Sequence, residues 1–330
     1  MTGRGITRRG FLKGSAMAAG TLALEGSSFA AFPRNQTPPA SSSPGGAPSN
    51  FIQSMRAQGA TTPIQTTKLT DTIFLLQGVG SNMVAQIGPD GKLLIDSSVA
   101  TAAPAILHTL DKLGPRPLKF LINTHWHFDH TDGNAALHLA GAFIIAQENT
   151  RTRLSSSQTI KLLNLFIPAA PTAALPQLTF AETDKLYVNN DEVDLVHAPN
   201  AHTDSDIYIR FVNGNVIHTG DLWFNGYYPI IDEDSGGTIN GMIRAVDEIL
   251  GIADDRTKIV PGHGPAGDKH ALQNYRDMLS TVANRVEKLK ISGQSLQQVI
   301  AAKPTADFDV QLGHGMMTPE LFVTVIYNTL

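Results

Sequence analysis

The 330-residue chain predicts an α/β fold in which β-sheets lie packed between layers of helix, and three observations carry that expectation. Hydrophobic residues make up 42% and charged residues 16%, so the chain can bury a sizeable core. Short apolar runs bounded by Gly, Pro, Asn and Asp read as strands. Helical patterns alternate with these runs through two β-rich halves, and such alternation buries one face of every helix against a sheet. The length suits one large domain or two small ones.

Residues 1–30 read as an address rather than as structure. Thr7-Arg8-Arg9-Gly10-Phe11-Leu12-Lys13 puts paired arginines before an apolar pair, with a weakly apolar stretch to Leu24 and small residues around Ser28-Phe29-Ala30. That order is a secretory leader, and it resembles the twin-arginine signal of proteins exported already folded. Cleavage is expected near Ala30 or Ala31, leaving a mature protein in the periplasm or outside the cell. Five prolines with serine and glycine between Pro33 and Asn50 extend the non-core segment, and residues 31–59 are expected to be a flexible tether. Residues 60–330 are expected to form the folded domain, C-terminal helices included.

Within that domain strands are expected at 72–76, 82–87 and 92–95, separated by Gly78, Gly80 and Pro89-Asp90-Gly91. A helix follows at 102–113, a strand at 119–122, a helix at 131–139 and a strand at 142–146. The second half offers strands at 177–180, 185–188, 192–197, 207–211, 215–218 and 258–260, with helices at 239–250 and 269–290. Thr318-Pro319-Glu320 supplies a capping hydroxyl and a proline at the first helical position, so a last helix is expected over 320–328.

Composition prunes the function classes. The whole chain carries −4, and residues 1–30 hold four bases against one acid, so the remainder stands at −7. An acidic body of this kind lacks the basic face of a nucleic-acid binder. No apolar run approaches the roughly 18 residues of a spanning helix, and no membrane anchor is expected once the leader is removed. Zero cysteines exclude disulfides, thiolate metal sites, a cysteine nucleophile and a lipoprotein anchor.

One stretch carries the chemistry. In His125-Trp126-His127-Phe128-Asp129-His130, residues two apart on extended backbone point the same way, so His125 and His127 can converge on one ion. Asp129 and His130 fall where the chain turns into the next helix and can face a second point nearby, while Trp126 and Phe128 project into the core. His202, Asp221 and His263 each follow a predicted strand end, where binding residues collect on loops held by a scaffold.

This pattern resembles the metallo-β-lactamase superfamily, whose H-x-H-x-D-H signature is matched at His125 to His130. Its downstream histidine, bridging aspartate and final histidine match His202, Asp221 and His263 in order and spacing, over roughly residues 65 to 290. The resemblance implies a four-layer αββα sandwich of two mixed sheets flanked by helices, with two metals at one edge. It implies metal 1 on His125, His127 and His202, metal 2 on Asp129, His130 and His263, and Asp221 bridging both. Imidazoles and carboxylates suit two zinc ions, and also iron or manganese. A water shared by two cations has its pKa lowered from ~15.7 towards ~7, and Asp129 is the catalytic carboxylate expected to orient it. There is no Gly-x-Ser-x-Gly elbow for a serine mechanism.

Further residues group around this set. Asp96 ends a strand and is either a partner for a ligating histidine or a plain turn residue; His218 reads as a buried or supporting histidine. Asp204 and Asp206 read as a solvated turn. Trp223, Asn225 and Tyr227 follow Asp221 directly and are candidates for the substrate wall, Asn225 as an oxyanion donor. The expected function is an exported metal-dependent hydrolase of a small-molecule carbonyl substrate: β-lactam, lactone, ester or thioester. The alternatives are a mononuclear iron persulfide dioxygenase-like enzyme and a non-catalytic periplasmic metal-binding module. The twin-arginine export machinery is the one macromolecular partner implied.

Overall fold

The computed structural model describes residues 49–330, so the leader and most of the expected tether lie outside the described residues. Folded structure begins earlier than residue 60. Asn50–Gly59 forms helix α1, with Ile52 buried and Arg56 clamped on both Asp132 carboxylate oxygens at 2.8 and 2.6 Å. The proline-rich composition ends at Pro48, and Phe51, Ile52 and Met55 then give this segment an apolar face to bury.

The first sheet runs in the order β1 (Gln65–Lys68), β2 (Ile73–Gln77), β3 (Met83–Gly88), β4 (Gly91–Ile95), β5 (Leu118–Ile122), β6 (Phe143–Gln147) and, last, Leu178–Phe180. Its first four strands are antiparallel; from β4 onward they are parallel, joined by α2 (Ala103–Leu113) and then α3 (Phe128–Thr131) with α4 (Asn134–Leu139). The single helix expected over 131–139 is split at Asp132-Gly133, where the glycine packs so closely on Ser97 that a Cβ would stand 2.2 Å from its carbonyl oxygen. After β6 come α5 (Glu148–Leu154) and a hairpin of β7 (Gln158–Ile160) and β8 (Leu165–Ile167), and the sheet's last strand is β9.

The second sheet is β10 (Thr183–Val188), β11 (Asp191–His197), β12 (Ile207–Phe211), β13 (Val216–His218) and β14 (Lys258–Val260), antiparallel except for the final pair. The β10–β11 turn is Asn189-Asn190, both left-handed at φ 55° and 60°, the backbone that a two-residue hairpin asks for. Helix α6 (Ile239–Ile252) makes the parallel crossover, capped by Thr238 Oγ1 on the Gly241 amide at 2.9 Å. Helices α7 (Lys269–Ile291), α8 (Leu296–Ala301), α9 (Asp309–Leu312) and α10 (Pro319–Thr329) complete the chain, and Thr318 caps α10 as expected.

Strand alternation builds four layers. Val84, Leu93, Ile95, Ile207, Ile209, Phe211 and Val260 face one another between the sheets. Their strand neighbours Met83, Ala85 and Leu94 face α1, α2 and α4, and Tyr208, Ile217 and Ile259 face α6, α7 and α10. The result is the αββα sandwich, with the loops that follow β4, β5, β11, β13 and β14 gathered at one edge.

Candidate metal centre

Those five loops supply every charged or imidazole group of the site. His125, His127, Asp129 and His130 occupy the turn after β5 and the start of α3; His202 follows β11, Asp221 follows β13 and His263 follows β14. One potential ligand atom from each of His125, His127, His202 and Asp221 lies within 4.8 Å of the others, and Asp129, His130 and His263 form a second such group. Asp221 stands between the two. One of its oxygens is 3.4 Å from His202 Nε2 and 3.4 Å from His263 Nε2, and the other is 3.1 Å from His130 Nε2. His263 Nε2 is also 3.2 Å from Asp129. All seven residues expected from the sequence are thus brought together.

Each imidazole has its second nitrogen, or its ring, fixed from behind. His125 Nδ1 meets Thr124 Oγ1 at 3.0 Å, His130 Nδ1 meets Asp96 at 2.7 Å, His127 Nε2 meets Asp232 at 3.2 Å, and His202 Nδ1 donates to the Ile230 carbonyl at 2.6 Å. His263 stacks on Phe224, ring centroids 5.3 Å apart. Such partners set the tautomer and aim the other nitrogen inward. Asp96 is no plain turn residue: fully buried at φ 62°, it accepts from the Thr124 amide and hydroxyl, both at 2.8 Å, as well as facing His130. His218 stays out of the cluster. Its Nδ1 accepts from the Gly220 amide at 2.9 Å and its Nε2 donates to the Asn82 carbonyl at 3.2 Å, which fixes the turn carrying Asp221. Asn82 in turn clasps the His263 loop, donating to the carbonyls of Gly262, Pro261 and Gly264 at 2.8 to 2.9 Å.

Three expectations are corrected. Trp223 is 1% exposed and packs among the α6–α7 core, because the short turn after Asp221 aims it outward and gives the site-facing place to Phe224. Asn225 does not line the cavity over the site; its amide donates to the Pro265 carbonyl at 2.8 Å and braces the His263 loop. Asp206 is not solvated: 2% exposed, it accepts from the Thr203 amide and hydroxyl at 2.7 and 2.8 Å, and burial pushes its carboxyl up to about 7. Asp204 pairs with Arg153 at 2.7 Å at the half-buried surface. Tyr227 does line the cavity over the site.

The electrostatics fit a cationic occupant. Burial and the neighbouring imidazoles hold His125 well below its ordinary range and bring His202 down to about 4, so both present lone pairs. Burial alone would do the same to His130 and His263, but Asp221, with Asp96 and Asp129, overrides it, lifting His130 well above its ordinary range and His263 to about 10. Burial raises the Asp129 carboxyl, yet His130 and His263 bring it down to about 2. Positive charge is therefore stabilised between the carboxylates. Meanwhile His125 Nε2, His130 Nε2 and Asp221 Oδ1 are buried and make no well-aligned hydrogen bond, the last two meeting each other only as an ion pair at 3.1 Å, and a buried polar atom left so is costly unless something else binds it. A set of five imidazoles and two carboxylates with such unpaired atoms suits divalent cations.

A model of the metallo-β-lactamase superfamily matches residues 76–263, the span that carries all seven residues. The chain belongs to the metallo-β-lactamase superfamily. It is a metallo-hydrolase of that superfamily. A probable metallo-hydrolase of Methanocaldococcus jannaschii is 27% identical over 206 residues, covering 60% of this chain and 96% of the relative. A hydroxyacylglutathione hydrolase of Pelagibacter ubique is 27% identical over 193 residues, 58% of this chain and 69% of that protein. In fold the chain is similar to a metallo-β-lactamase from Pontibacter korlensis, with a TM-score of 0.55, 18% identity, and coverage of 66% of this chain and 99% of the other. A sec-alkylsulfatase from Pseudomonas sp. superposes with a TM-score of 0.61 at 17% identity, over 83% of this chain and 51% of its own.

Over the cluster lies a cavity of about 430 Å³, with His127, Asp129, Asp221 and His263 on its floor. Asp232, Thr124 and the Ile230 carbonyl are the supporting groups that sequence reasoning missed.

Proposed function

We propose that the protein is an exported hydrolase that holds two divalent cations, zinc ahead of iron or manganese, and cleaves a small carbonyl substrate. His125, His127 and His202 would hold one cation, Asp129, His130 and His263 the other, and Asp221 both. The observation that carries the reading is Asp221, whose two carboxylate oxygens face ligand groups on either side. When bound, such cations supply Lewis acidity, acidifying water and polarising a carbonyl oxygen.

The chain's own residues do the rest. Asp129 keeps a carboxylate at the cavity floor, its side chain 15% exposed, and held ionised by His130 and His263 it can orient a water and take its proton. The support behind each imidazole keeps the set in place through the reaction, so little reorganisation is needed. Phe224, buried beside His263, and Tyr227, at the mouth, add apolar lining to the cavity. The paired arginines Arg8-Arg9 support export, and export of a folded chain suits a site assembled from both sheets.

The test is to purify the mature protein, quantify bound metals, and screen nitrocefin, lactones, esters and thioesters against the metal-stripped protein. Two cations per chain, no oxygen consumption with persulfides, and hydrolysis lowered about a hundredfold or more by Asp129→Asn are expected. Absence of hydrolysis above the stripped protein across the panel would overturn the reading.

A further inference from the structure

The walls of the cavity differ in character from its floor. Phe51 and Met55 of α1 form one side, Leu163 and Leu165 of the β7–β8 hairpin a second, and Met316 and Met317, just before α10, a third. No lysine or arginine lines the cavity among the described residues. Phe51, Tyr227 and Met316 are 40%, 40% and 44% exposed, so three of the ten exposed large apolar side chains among the described residues gather at this one mouth. Solitary exposed apolar residues are ordinary, but a cluster that leads down to reactive groups marks a binding surface. Two of the three walls come from chain outside residues 76–263, the span that the superfamily model matches.

The charge pattern then selects among carbonyl substrates. A carboxylate-bearing β-lactam or a glutathione thioester would bring its anionic group between the apolar walls, where no lysine or arginine stands to meet it. An ion desolvated without a partner binds poorly. A neutral ester or lactone with an alkyl chain has no such penalty and gains from burying the chain.

We propose that the slot between α1, the β7–β8 hairpin and Met316-Met317 selects neutral esters or lactones bearing an alkyl chain, with the carbonyl over the cavity floor. This rests on the hydrolase reading above and names its substrate class. Opening of a lactone breaks the acyl C–O bond and forms a C–O bond from water. One water proton passes to the departing alkoxide, and the product is a hydroxy acid with no further reactant.

The metal-loaded mature protein is assayed on γ-valerolactone and γ-nonalactone, which differ by methylenes in one tail, and on a γ-lactone bearing a carboxylate. Binding of the unreactive lactam counterpart of γ-nonalactone is measured separately by calorimetry. Each fully buried methylene is worth about fourfold, so kcat/KM is expected to rise at least about tenfold from valerolactone to nonalactone, with the carboxylate lactone poorest. In Met316→Lys, at an exposed position, and Met55→Lys, at a half-buried one, the nonalactone-to-valerolactone ratio falls towards unity, lactam binding is lost, and the carboxylate lactone gains. Equal rates on the two neutral lactones, a preference for the carboxylate lactone, or lactam binding indifferent to both substitutions would overturn the proposal while leaving the hydrolase reading standing. Lactam binding lost in the variants without hydrolysis of any lactone would uphold the slot and overturn the hydrolase reading.

Discussion

Asp232→Asn isolates the tautomer of one imidazole. Asp232 is 1% exposed; one of its oxygens faces His127 Nε2 at 3.2 Å, and the other accepts from the amides of Asp234 and Ser235 at 3.1 and 3.3 Å. Those two amides pin the orientation of an asparagine at this position, because flipping it would set its NH2 against two N–H donors. The NH2 must therefore face His127 Nε2, which is forced to accept, and the ring proton moves to Nδ1. That is the nitrogen turned towards His202 Nε2, 2.8 Å away. A protonated Nδ1 cannot ligate. Loss of such a supporting carboxylate costs about 10–100-fold in metal affinity, or roughly 1.4–2.7 kcal/mol. Zinc titration against a chromogenic competing chelator measures it, with melting of the metal-stripped variant as the control for the 232–235 turn. A zinc affinity within about twofold of the parent, in a variant that melts normally, would refute the reasoning.

Other expectations follow from the same geometry. In Gly262→Ala the new Cβ would stand 1.9 Å from an Asp221 oxygen and 2.8 Å from the Gly220 carbonyl carbon, so Asp221 must move; metal analysis should show loss of at least half the bound metal, and parental content would contradict the bridging position. Zinc at about a thousandfold over its dissociation constant should stabilise the stripped protein by about 4 kcal/mol, read as a rise of about 10 °C in melting temperature, and an unchanged melt would speak against a formed site. Asp206, with its carboxyl pushed up to about 7, keeps its proton in the folded chain where the unfolded chain has lost it. Stability of the stripped protein should therefore fall as pH rises from about 4 to about 7, by roughly 4 kcal/mol, and Asp206→Asn should flatten that slope in chemical denaturation; an equal slope in both would remove Asp206 as its source.

What the sequence discloses of this site depends on whether a residue's role is local. His125 to His130 announce themselves because strand alternation and the following turn fix where each points. His202, Asp221 and His263 are legible as strand ends. Asp232 is not, since its partner His127 is 105 positions away; only the Asp232-Glu233-Asp234-Ser235 run hints at it, as a capping turn of unknown target. Trp223 and Asn225 mislead for the opposite reason. Nearness to Asp221 along the chain says nothing of direction, and the short turn at Gly220–Leu222 sends Trp223 to the helix layer and leaves Phe224 beside His263. The strands and long helices fall within a few residues of their expected places, because their periodicity is strong. Helix α1 and the β7–β8 hairpin escape notice: each is short, and each gains its stability from the cavity wall it helps to build.

The clasp by Asn82 has a mechanical consequence. Asn82 belongs to the first sheet's side of the edge and Pro261–Gly264 to the second, so His263 is fastened across the line where the two halves of the sandwich meet. The first half brings His125, His127, Asp129 and His130, and the second brings His202, Asp221 and His263. Neither owns a complete set. On the proposed reading the ions act as a rivet through that seam. Two fragments severed at Ala181–Glu182 should then each fail to retain zinc alone, regain it on mixing, and hold each other less tightly, by the core between the sheets alone, when a chelator draws the rivet out.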